Sequence, residues 1–224
     1  MVSESTTRGL LAGLPVAARL RPASSGVSLA RWAAVSTALA PLTMVGAWLV
    51  AEALQPPSYS PLRSSISGLA MIGATDRWIV TGALFLVGAC YLVTAACLPG
   101  QRRSARIVLL IAGLSSIGIA ASPQPVHGTN PQHLVWTALG AVAIAVWPAF
   151  TVGRAPSRPL ILRPRGAAAV TVVSLALLTW LIAETQGGSA LGLAERLVTG
   201  LQITWPFVVI LALRSGPASE ERSP

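Results

Sequence analysis

Two pairs of residues in this chain repeat one arrangement: Trp48 with Glu52, and Trp180 with Glu184. On a helix, side chains four positions apart stand one above the other, so each acid lies one turn beyond an indole. A carboxylic acid in apolar surroundings keeps its proton, because desolvation disfavours the charged form. An indole face beside it stabilises cationic charge. The combination suits protonation of an alkene or epoxide, followed by shelter of the carbocation. Asp76, Glu195 or His133 could then take up the final proton. The candidate catalytic residues are therefore Glu52, Glu184, Asp76, Glu195 and His133.

A second set reads as ligand-contacting. His133 and Trp136 lie one turn apart, and Trp78 follows Asp76 closely. Ser65 and Ser67 alternate in a Pro-rich polar stretch, QPPSYSPLRSSISGLAMIGATDRW, at 55–78. Glu195, Thr199 and Gln202 form a polar stripe on one helix face. With Trp48 and Trp180, the expected ligand contacts are Trp48, Trp180, Trp136, Trp78, Ser65, Ser67, Thr199 and Gln202.

The elements that must position these residues are apolar. The chain has 224 residues, 53% hydrophobic and 10% charged, with mean hydropathy +0.67. Soluble domains carry about 25% charge. Six apolar runs approach the roughly 20 residues that a bilayer core demands, at about 31–54, 77–98, 105–121, 131–152, 167–185 and 193–213. The expected fold is an all-α integral membrane protein, a single bundle of six transmembrane helices over 29–214. Flexible cytoplasmic segments are expected at 1–28 and 215–224. Pro41, Pro148 and Pro206 fall inside runs and predict kinks. Asn130 before Pro131 predicts a helix cap, as does Asp76 before the second run. Cys90 and Cys97, on one run, predict packing residues and no disulfide.

All 16 basic residues are arginine, and the net charge is +9. Thirteen arginines fall in the terminal segments, in the second and fourth connections, or at the span ends that adjoin them; Arg63, Arg77 and Arg196 make 3 on the other side. The positive-inside rule then puts both termini in the cytoplasm of a multi-pass cell-membrane protein. Charge placed as an orientation signal argues against nucleic acid as a partner. A membrane lipid or a prenylated small molecule is the expected one. There is no phosphate-binding loop, dinucleotide fingerprint or zinc-protease motif. A single aspartate makes a magnesium–diphosphate site a poor fit, so neither cofactor nor metal is expected.

A plainer account competes. Tryptophans gather at membrane interfaces, and acids at span ends can face headgroup water or pair with Arg63, Arg77 or Arg196. Gln202, near mid-span, is the residue that account explains least.

In order along the chain, Ser65-Ile66-Ser67-Gly68-Leu69, Asp76 with Trp78, Pro123 with His133, and Gly192-Leu193-Ala194-Glu195-Arg196 form a motif set. In these residues, across about 30–214, the chain resembles the uncharacterised bacterial and archaeal membrane proteins grouped as domain-of-unknown-function family 998. The resemblance implies six helices with the motifs on one side, and carries no established activity. His127 competes with His133 for the histidine role. In size, helical build and acids near aromatics, the chain is also similar to small actinobacterial membrane-embedded terpene cyclases. The functional expectation is a membrane enzyme acting on a prenylated or isoprenoid amphiphile, a metal-independent, proton-initiated terpene cyclase. The alternatives are a proton-coupled transporter or sensor of small amphiphiles, and a non-enzymatic scaffold or lipid-binding protein.

Overall fold

The computed structural model describes residues 23–98, 100–152 and 159–214. The segments 1–22 and 215–224 and most of the basic connection, at 153–158, lie outside the described residues. Among the described residues seven helices follow in order: α1 (Ala23–Ala53), α2 (Ile66–Leu69), α3 (Trp78–Cys97), α4 (Arg103–Ala121), α5 (Pro131–Phe150), α6 (Pro164–Glu184) and α7 (Leu191–Arg214). A 3-10 turn, Leu160–Leu162, precedes α6. Six helices are long and apolar enough to span a bilayer, and no strand occurs among the described residues. The protein is an all-helical, multi-pass membrane bundle. Helix α1 begins within the segment expected to be an arm, but its apolar span is Leu29–Ala53.

Local signals account for most boundaries. Asn130 accepts a hydrogen bond from the Gln132 amide at 3.0 Å, with Pro131 supplying a preset first turn. Pro164 begins α6 in the same manner. Pro41, Pro148 and Pro206 lie inside α1, α5 and α7. The expected Asp76 cap does not form. Asp76 adopts a left-handed backbone (φ 47°) and Arg77 occupies the cap position. An aspartate tolerates that conformation, and here it turns the chain into α3 with an exposed side chain.

Each span packs on the next in chain order, from α1 through α3, α4, α5 and α6 to α7, and α7 returns to α1. The spans thus close a ring. Gly88 and Gly113 let α3 and α4 meet at backbone distance: a Cβ on Gly88 would lie 2.8 Å from the Gly113 carbonyl. Ser36 and Thr94 share a 2.7 Å hydrogen bond between α1 and α3, and the buried Trp147 indole donates to the Ala105 carbonyl at 2.9 Å. The loop between α1 and α3 folds back over one end of the ring. Ile66 and Leu69 are 2% and 1% exposed, and Ile72 donates to the Gln124 carbonyl of the α4–α5 loop at 2.9 Å. These contacts gather the ends that bear Glu52, Glu184 and Glu195.

Candidate functional site

At the loop end of the ring, Arg196 is the hub. A guanidinium has five N–H donors, and here each has an acceptor. Nε and Nη2 donate to the same oxygen, Oε1 of Glu52, closing an ion pair between α7 and α1. Nη2 also donates to the Tyr59 hydroxyl at 2.8 Å. Nη1 donates to the carbonyls of Ser64 (2.9 Å) and Gly192 (2.8 Å). The Arg196 and Glu52 side chains are 13% and 14% exposed. Burial holds the Tyr59 hydroxyl above its ordinary range although Arg196 pulls the other way, so a neutral phenol faces the cation. A Cβ on Gly192 would run into the Pro61 and Ser64 carbonyls. Glycine there admits the loop, and Leu193 donates to the Leu62 carbonyl at 3.1 Å.

Glu195, adjacent in sequence, clamps the same loop differently. Its Oε2 accepts from the Ile66 amide at 2.5 Å. Its Oε1 accepts from the Ser67 amide at 3.2 Å and the Ser67 hydroxyl at 2.9 Å. Ser65 does not reach Glu195; its hydroxyl caps α2 by accepting from the Gly68 amide at 2.9 Å. The two alternating serines divide the work, one shaping α2 and the other docking it. Asp76, a candidate catalytic residue by sequence, stands exposed at the turn into α3 and joins no hydrogen bond of this cluster.

The remaining candidates have separate settings. Glu184 accepts the Trp180 indole N–H at 3.0 Å and the Ala190 amide at 2.8 Å, bracing the turn into α7. Trp180 thus meets its acid through its N–H edge. Trp48 is buried in the core beside α1's polar end. His133 is 3% exposed and shares a 2.8 Å hydrogen bond between Nδ1 and the Ser122 carbonyl. Trp136 lies against Gly118. Trp78 is 68% exposed, with the Arg77 guanidinium 3.9 Å from its ring centroid. His127 is exposed, and no three His, Cys, Asp or Glu side chains converge among the described residues.

A cavity of about 150 Å³ lies inside the ring. All six spans and the loop contribute to its wall, which runs from Ser67 and Glu195 down to Tyr91, Ile144 and Gln202. Of the expected site residues, Glu195, Ser67, Thr199 and Gln202 line it. Glu52, Glu184, Asp76, His133 and the four candidate tryptophans lie outside that wall. Gln202 uses Nε2 to reach the Ala141 carbonyl at 3.2 Å, tying α7 to α5. Thr137 is one of the wall residues, and its hydroxyl is buried with no partner among the described residues. The Tyr91 and Thr199 hydroxyls also lack one there.

Sequence reasoning missed four contributors. By sequence Arg196 is one possible ion-pair partner of the acids; its place as the hub comes from the structure. The signal was an arginine at the otherwise arginine-poor end of a span, next to a glutamate. Tyr59 stands in the polar loop with no motif to mark it. Tyr91 and Thr137 look like ordinary span residues, and no sequence signal distinguishes them.

A family model described as "Protein of unknown function (DUF998)" matches residues 38–212. No curated protein matches the chain, and no solved structure does.

Proposed function

The chain belongs to the DUF998 family of proteins of unknown function, and from that premise we propose that it binds an amphiphilic small molecule, a membrane lipid or a prenylated compound, in the cavity inside the helix ring. The observation that carries this reading is the wall itself. It is apolar except for one carboxylate, Glu195, and a few hydroxyl and amide groups, the composition of a small-molecule site. A dry cavity of roughly this size is known to take a benzene-sized group. One end of an isoprenoid or acyl chain fits; a whole folded prenyl chain does not, unless the helices part. That magnitude favours a lipid-binding role over enclosure of a chain for cyclisation.

A proton-initiated cyclase remains the second reading, and the position of Glu195 in an apolar cavity is what favours it. In that reading the acid is Glu195 rather than Glu52 or Glu184. Those two carboxylates accept hydrogen bonds from Arg196 and from Trp180, outside the cavity wall. A cation in the cavity would meet Tyr91 as its aromatic neighbour.

The test is reconstituted protein incubated with prenylated candidates, with bound and converted material followed separately. Binding without conversion supports the lipid-binding reading. Conversion that Glu195→Gln abolishes, with binding retained, supports the cyclase. Absence of binding removes both.

The thirteen-to-three arginine split further supports placing both termini in the cytoplasm and the Glu195 end outside. Cysteines at Thr129 and Ser189 should react with an impermeant thiol reagent from outside, and one at Ser104 should not. The reverse pattern would invert the orientation.

A further inference from the structure

We infer that the group held by this cavity is an uncharged hydroxyl at the end of an apolar chain, and that phosphorylated forms of the same chain are refused. The inference rests on the amphiphile-binding reading above.

Charge excludes the phosphate. An organic phosphate requires arginine or lysine donors, and the cation beside the cavity is Arg196. Its five N–H groups are committed to Glu52, Tyr59, Ser64 and Gly192. Among the described residues no arginine lines the wall, and the acidic side chain that does is Glu195. A phosphate placed there would meet acceptors and no cationic donor.

Hydrogen-bonding capacity selects the hydroxyl. A carboxylate offers about four lone-pair positions, and Glu195 spends three on Ile66 and Ser67. One turn along α7, the Thr199 hydroxyl has no partner among the described residues, and the next wall residue with a polar side chain, Gln202, commits Nε2 but not Oε1. Thr137 from α5 and Tyr91 from α3 complete the set, the first with a fully buried, unpartnered oxygen. Buried polar atoms in native proteins are paired as a rule. A hydroxyl donates once and accepts twice, so it can donate to Glu195 or Gln202 and accept from Thr137, Thr199 or Tyr91. A hydrocarbon end leaves the Thr137, Thr199 and Tyr91 hydroxyls unpaired.

The test is native mass spectrometry of the full-length protein with three probes of one skeleton: farnesol, farnesyl monophosphate and the hydrocarbon farnesane. The expected result is at least tenfold greater retention of farnesol than of the other two. Thr137→Val and Thr199→Val should each lower farnesol retention severalfold and leave farnesane unchanged. Should either variant fail to fold, the wild-type ranking decides alone. Dodecanol, run in parallel, separates a prenyl from an acyl source, since each carries the same terminal hydroxyl. Retention of farnesyl monophosphate equal to or above farnesol would overturn the inference while leaving the cavity as a ligand site. So would equal retention of farnesol and farnesane, as expected if water alone serves those groups. Retention of none of the four would remove the inference and the reading beneath it.

Discussion

Arg196 and Thr199 are three residues apart on α7, about one turn, and their surroundings are opposite in kind. Around Arg196 every donor is spent, on three separate pieces of chain: α1, the loop and α7 itself. Around Thr199 a cavity opens and polar oxygens go unpaired. A saturated network in a poorly hydrated setting stiffens the fold, because losing any member strands the others. An unsaturated one costs stability and persists where a ligand completes it. The same helix therefore carries a saturated rim and, one turn deeper, the unsaturated interior proposed to receive the ligand. Of the acids in the two Trp–Glu pairs, Glu52 belongs to the rim and Glu184 braces the turn into α7, both outside the cavity wall.

The comparison is broken most severely at the hub. Arg196→Ala strands the Glu52 carboxylate and removes the acceptors' partner at once. The expected loss is about 3 kcal/mol, the lower end for a buried pair since both side chains keep some exposure. It would be read as a drop in thermal unfolding temperature in detergent, with faster proteolysis in the loop. Glu52→Gln combined with Arg196→Met should recover part of that loss, because no charge is then left unpaired. Full stability of Arg196→Ala would mean that the rim is ornamental.

Gly192→Ala comes next. Its methyl group meets two loop carbonyls directly, an overpacking change of about 1–3 kcal/mol. Hydrogen exchange should rise at Ile66 and Ser67, whose amides Glu195 holds, and stay unchanged at α4. Tyr59→Phe is milder. It takes one acceptor from Arg196, at about 1 kcal/mol for a single hydrogen bond, and should leave probe retention at the wild-type level.

The smallest expected effect has the opposite sign. Thr137→Val removes an unpartnered hydroxyl from an apolar wall, so the ligand-free protein should unfold at the same temperature or slightly above it, by up to about 1 kcal/mol. A clear destabilisation would show that Thr137 has a partner and belongs with the rim.

Six spans were legible because each is an apolar run of bilayer length; the fold-back of the loop, which buries Ile66 and Leu69 from a polar stretch, is a finding of the structure. The Asn130 cap followed from its neighbour, Pro131. The destinations of the acids were not legible. A four-residue spacing fixes which residues share a helix face, but not which way that face turns. Glu52 rotates towards Arg196, and Glu184 reaches forward to the α7 turn. Asp76 fits a cap by residue type, yet the chain uses it for its tolerance of a left-handed turn. Tyr91 and Thr137 gain their interest solely from the ring closure that sets α3, α5 and α7 around one space.

The most direct measurement is photo-crosslinking of the membrane-embedded protein with a farnesol analogue carrying a diazirine on its second isoprene unit, followed by peptide mapping. Labelling should fall on cavity residues of α3, α5 and α7, such as Leu84, Ile144 and Val198, and excess farnesol should suppress it. Labelling confined to exposed residues such as Val172 and Ile182 of α6, undiminished by farnesol, would contradict a ligand site inside the ring.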